Sequence, residues 1–153
     1  VVNARLSLLP PKQLLPVNCD LQVVCKVVDV VRYPNEVDSL SREARAYEAL
    51  YNLQGEVIPR LYGFYNVWGI LRLLALEPVG EAITEDEQIT PTVRNKMRAA
   101  LQRIHNAGLL HGDVARRNLC RTRRDKIFSV DLENCRPGNA LELHNEMNVV
   151  EGL

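Results

Sequence analysis

This chain lacks most of the features that make a function readable from composition. Its 19 Lys and Arg are matched by 19 Asp and Glu over 153 residues. The balance leaves no global field to draw in nucleic acid or an anionic membrane. No cysteine pair has C-x-x-C spacing: Cys19, Cys25, Cys120 and Cys135 stand singly in or beside apolar stretches. Buried free thiols of a reducing compartment suit that pattern better than a zinc site. No apolar run can span a bilayer, and the longest, VWGILRLLAL, is interrupted by Arg72. The opening VVNARLSLLPPKQLLPV is broken by Pro10, Pro11 and Pro16 and lacks the order of a secretion signal. There is no initiator methionine and no glycine before Gly55, as expected of a fragment or of a chain that has lost an N-terminal part. The expectation is a soluble, cytoplasmic protein with neither nucleic-acid nor membrane partners.

What is present is an ordinary globular composition, 46% hydrophobic and 25% charged, in a chain long enough to bury a real core. LQVVCKVVDVV (21–31) is β-branched and apolar on alternate and intervening positions alike, which predicts a strand covered on both faces. YPNEVDS then reads as a loop, and SLSREARAYEALYNL (39–53) as a helix with Leu40, Ala46, Tyr47 and Leu50 on one face. Glu43 falls in the middle of that apolar stripe, where a carboxylate needs a cationic partner.

GEVIPRLYGFY reads as a turn and short strand, and VWGILRLLALE (67–77) as one long strand. A second helix follows, capped by Thr90, opened by Pro91, stopped by Gly108, with Val93, Met97, Leu101 and Ile104 inward. NLCRT and KIFSVDL predict two short strands joined by a basic turn, and the tail from Ala140 is weakly helical. The basic stretch RTRRDK has no interleaved aromatics and reads as a solvated turn. The element order predicts an α+β fold in two lobes: a small N-terminal sheet with one helix over 1–78, and a shortened, mostly helical part over 79–153.

The densest chemistry lies in LLHGDVARRNLC (109–120), which sets His111, Asp113, Arg116, Arg117 and Asn118 between two apolar runs. Phosphoryl transfer from a nucleotide requires a lysine on the phosphates, an acid to hold that lysine, and a carboxylate near the accepting hydroxyl. It also requires oxygen ligands for magnesium, of which the phosphates supply a share. Taken singly, the residues here have simpler readings. Lys26 suits a strand lysine snorkelling to solvent, His111 a structural histidine bonded to nearby backbone, and Asp113 and Asn118 a turn. Asp131, closing an apolar strand, is the hardest to read as structural.

Taken together they resemble the protein kinases and their kinase-like relatives. HGDVARRN is similar to the catalytic loop H-R-D-L-x-x-x-N, with the same interval from Asp113 to Asn118. VDLE, with Asp131 13 positions after Asn118, stands where that family has D-F-G. VVCKVV resembles its lysine strand and LALEPVG its hinge between lobes. The run YEALYNLQGEVIPRLYG followed by H-G-D is similar to small kinase-like proteins abundant in filamentous fungi.

The resemblance implies ATP and Mg²⁺ as cofactors and γ-phosphate transfer to a hydroxyl, of a protein or of a small molecule. Under it Asp113 orients the acceptor and takes its proton, and Arg117 supplies charge beside the transferred phosphate. Asn118 and Asp131 hold the metal, and Lys26, paired with Glu43, binds the phosphates. Backbone groups of Glu77 and Val79 meet the adenine.

Four departures accompany the likeness. No glycine-rich stretch precedes Lys26, Gly112 replaces the arginine of H-R-D, Glu133 replaces the glycine of D-F-G, and only 22 residues follow Asp131. They keep two other expectations open: a catalytically inactive pseudokinase serving as a binding module, and a small-molecule kinase similar to the aminoglycoside and choline kinases.

Overall fold

A computed structural model describes residues 22–153; Cys19 and the proline-containing segment ahead of Lys26 lie outside them. The chain runs β1 (Val24–Asp29), α1 (Pro34–Ala49), β2 (Leu61–Val67), β3 (Leu71–Leu76), β4 (Glu81–Ala82), α2 (Pro91–Asn106) and β5 (Leu109–Leu110). It continues through β6 (Leu119–Arg121), β7 (Ile127–Ser129), β8 (Arg136–Pro137) and α3 (Ala140–Gly152). The fold is α+β. Among the described residues three α-helices pack with three small antiparallel sheets, ordered β1-β3-β2, β4-β6-β7 and β5-β8.

Three local expectations need correction. The segment expected as a loop belongs to α1, which starts at Pro34; proline suits a first helical turn because its fixed φ is helical and the missing N–H has no partner there. The helix ends at Ala49 and gives way to a 3-10 turn over Tyr51–Leu53. The long strand expected over 67–77 is divided by a hairpin turn. Trp68 and Gly69 have φ of 54° and 72°, and Ile70 N–H donates to Val67 C=O at 3.0 Å. Two successive positive φ values match the twist of the flanking strands. A Trp-Gly pair carries a weaker turn signal than Asn-Gly, and so the break was hidden in an apolar run.

The third correction concerns β1, which the described residues do not cover on both faces. Val27, on the face opposite Lys26, is 53% exposed, while Lys26 contacts α1 and Val28 packs on the core. Among the described residues β1 pairs only with β3. Among the described residues it is an edge strand, with Lys26 and Val28 on its inward face.

The second helix matches its expectation. Thr90 Oγ1 accepts from Val93 N–H at 3.3 Å, its four expected inward residues are buried, and Gly108 leaves the helix at φ 77°. At α3 a reciprocal cap adds to the weak periodicity: Asn139 Oδ1 accepts from Glu142 N–H at 3.0 Å, and Glu142 Oε2 accepts from Asn139 N–H at 2.9 Å.

One continuous buried cluster joins Tyr47, Ile58, Leu74, Met97, Leu132 and Val150, drawing on residues from both sides of position 78. Of the free cysteines described, Cys120 is buried, whereas Cys25 and Cys135 are half-buried. Among the described residues no helix is long and apolar enough to cross a membrane.

Candidate functional site

Alternation along β1 aims Lys26 at α1, and the helical period brings Glu43 to meet it. Lys26 Nζ donates to Glu43 Oε2 at 2.8 Å and Oε1 at 3.0 Å, and to Asp131 Oδ1 at 2.6 Å. Glu43 is 1% exposed, and burial lifts its pKa above the usual carboxylate range, partly offset by the Lys26 ammonium. Burial also works against the charge on Lys26. Hydrogen bonds and attraction from Asp131 and Glu43 outweigh it and hold the ammonium above its ordinary pKa. The snorkelling reading of this lysine is thereby set aside.

Beyond α2, strand β5 delivers the chain to His111, whose ring is buried. Its Nε2 lies 3.1 Å from Val130 C=O, and its Nδ1 lies 3.4 Å from Asp113 N–H. Donating to the first and accepting from the second requires a neutral ring protonated at Nε2. Burial favours that form by pulling the imidazole pKa below its usual value. His111 thus orients its neighbours, in line with the structural reading.

Asp113 is held on its other side. Asn118 Nδ2 donates to Asp113 C=O and Oδ2, both at 2.9 Å, and Arg117 Nη2 donates to Oδ2 at 2.8 Å and Oδ1 at 3.0 Å. The two adjacent arginines separate by role. Arg117 is exposed over the carboxylate, whereas the Arg116 side chain is largely buried and donates to the carbonyls of Thr84, Glu85 and Glu87.

The expected residues therefore form two groups: Lys26, Glu43 and Asp131, and Asp113, Arg117 and Asn118. Val130 joins them. Its N–H donates to Asn118 C=O at 2.9 Å and its carbonyl accepts from His111, so Asp131 leaves the second group one residue away. Asp131 has φ 65°, a costly backbone state for a residue with a side chain and one that concentrates at functional sites.

Glu77 and Val79 lie in the link between β3 and β4, with their side chains turned elsewhere. Glu77 pairs with Arg60, accepting from Nη1 and the backbone N–H at 3.0 Å each, and its own N–H donates to Arg60 C=O. The Val79 side chain packs against Cys120, Phe128 and Val130, beside the strand that leads to Asp131. The Glu77 carbonyl and Val79 N–H make no hydrogen bond with another described residue.

Two determinants of this site escaped sequence reasoning. One is the reason for Gly112: its φ is 84°, and a Cβ there would fall on the Asn134 carbonyl oxygen, far inside van der Waals contact. Gly112→Arg should therefore destabilise the chain. The left-handed backbone alone costs about 1–2 kcal/mol; with the clash the total should exceed ~2 kcal/mol, a Tm loss of roughly 4–8 °C, read by thermal denaturation. An unchanged Tm would contradict this account of Gly112.

The other is Glu146 on α3. Its Oε2 lies 2.7 Å from His105 Nε2 and accepts from His111 N–H at 3.0 Å, while Oε1 accepts from Gly112 N–H at 2.7 Å. No local motif marks this residue, because its partners lie 34 to 41 positions away.

Among the described residues no three His, Cys, Asp or Glu side chains converge as a metal-binding group. The expected magnesium ligands contribute one carboxylate and one amide, both hard oxygen donors of the kind magnesium takes alongside phosphate. No family model and no curated protein matches this chain.

Proposed function

We propose that the chain is an ATP- and Mg²⁺-dependent phosphotransferase of the protein kinase-like type, two-lobed, which transfers the γ-phosphate to a hydroxyl, in first place that of a protein. The observation that carries this reading is the three-way contact of Lys26, Glu43 and Asp131, tied through Val130 to Asp113 and Asn118. These residues come from positions as far apart as 26 and 131, and a turn-stabilising role for each would not require them to meet. One ammonium facing two carboxylates leaves an excess negative charge that a divalent cation would balance.

Asn118 and Asp131 would hold Mg²⁺, which when bound supplies charge compensation for the phosphates. Lys26, oriented by Glu43 and Asp131, would bind the phosphates. Asp113 sits on a loop fixed by His111, Asn118 and Glu146, where it orients a hydroxyl and accepts its proton. The Glu77 carbonyl and Val79 N–H, without a hydrogen-bond partner among the described residues, would provide one acceptor and one donor for an adenine edge, with Val79 and Cys120 as apolar surface beside it.

The test is thermal denaturation with MgATP. At 100 times its Kd a ligand adds about 2.7 kcal/mol, so Tm should rise, and the rise should vanish in Asp131→Asn. No rise at millimolar MgATP would sink the proposal. A rise without transfer to any hydroxyl would select the pseudokinase alternative.

A further inference from the structure

We propose that Glu133 is a positioning residue for the phosphate-binding lysine, acting through Ser39; this rests on the phosphotransferase reading above. Ser39 Oγ–H donates to Glu133 Oε2 at 2.6 Å. Ser39 lies one helical turn before Glu43 on α1, so both face the same side. Glu43 holds Lys26, Lys26 holds Asp131, and Asp131 precedes Glu133 by two residues. The contacts close a ring from Asp131 through Lys26, Glu43, one turn of α1, Ser39 and Glu133 back to Asp131.

The backbone segment of that ring has little freedom. Asp131 is at positive φ, and Leu132 between the two acids is fully buried. Leu40, Ala44 and Tyr47 seat α1 on the core, and Glu43 sets its distance from Lys26 at one point. A second contact one turn away also sets its direction.

Neighbouring Ser41 shows the alternative use of a helical serine, since its hydroxyl donates back to Val37 C=O at 2.7 Å on its own helix. Ser39 instead reaches across to another segment. Glycine at position 133 would offer no such acceptor, which gives the D-L-E sequence a role in place of D-F-G.

The experiment compares Ser39→Ala, Glu133→Ala, the double variant and Glu133→Gln in the full chain. The readouts are KM for MgATP, kcat, and the rate at which an amine-acylating reagent labels Lys26 at fixed pH. Each alanine variant should raise KM about fivefold, the scale of one hydrogen bond's net contribution, with a smaller change in kcat. The double variant should be no worse than either single one. Glu133→Gln, which keeps an acceptor oxygen, should recover most of the loss.

Lys26 labelling should quicken several-fold in both alanine variants. Additive losses, or an unchanged KM in Glu133→Ala with an active wild type, overturn the tie and leave the phosphotransferase reading standing. Should the wild type bind no MgATP, that reading fails and labelling alone decides: faster labelling in both variants supports the tie, and unchanged labelling removes it.

Discussion

Asp113→Asn is expected to lower phosphoryl transfer by ~10²–10⁴-fold, the range for loss of a positioned general base, while leaving the MgATP-induced rise in Tm in place. The amide is close to isosteric and keeps an oxygen to accept from Asn118 Nδ2, so the loop should hold its shape. The other loss is the Arg117 contact, whose guanidinium side chain is 66% exposed; exposed pairs of this kind contribute at most about 1 kcal/mol. Chemistry and folding should therefore separate cleanly. Single-turnover transfer and thermal denaturation on the same sample make the comparison. Transfer at the wild-type rate would remove Asp113 from the mechanism. A collapse of Tm would show that its role is to hold the loop.

Glu146→Ala should produce the largest loss of stability, although the residue sits on a helix that no motif connects to the site. Its carboxylate is the shared acceptor for His111 N–H, Gly112 N–H and His105 Nε2, and its side chain is only 10% exposed. Alanine leaves two buried groups, on His105 and His111, without a partner; Gly112 N–H is more open and water can replace the lost bond there. A buried donor left unmade costs about 1–3 kcal/mol, which gives a total of about 3 kcal/mol and a Tm drop of roughly 6–12 °C. Glu146→Gln keeps one acceptor oxygen and should recover part of the loss. Because Glu146 anchors the loop that carries Asp113, transfer should fall even at temperatures where the variant remains folded. A variant with wild-type Tm and wild-type transfer would contradict this role.

Much of the secondary structure could be read before any coordinates. The Thr90 cap, Pro91, the four-residue apolar stripe and Gly108 each act within one or two turns, so α2 was legible almost to its ends. The strand pair around the basic turn and the inward position of Glu43 followed from the same short periodicities. The misreadings have equally local causes. The segment YPNEVDS reads as a loop although its proline opens a helix, and the Trp-Gly turn is hidden inside an apolar run. The β-branched run at β1 looked two-sided because composition cannot count the layers that pack on a strand.

Short-range pattern by itself determined which residue types were available to the proposed site and on which elements they lie, because caps, turns and periodicities act over a few residues. Their meeting was decided only by the tertiary structure. Lys26 and Asp131 are 105 positions apart, and their approach depends on α1, β1 and the end of β7 closing over one core. The same holds for Gly112, kept as glycine by the distant Asn134 carbonyl, and for Glu146 and Ser39, whose partners lie on other elements. Contacts across such separations are set by how the layers pack, and no window of sequence contains both ends of them.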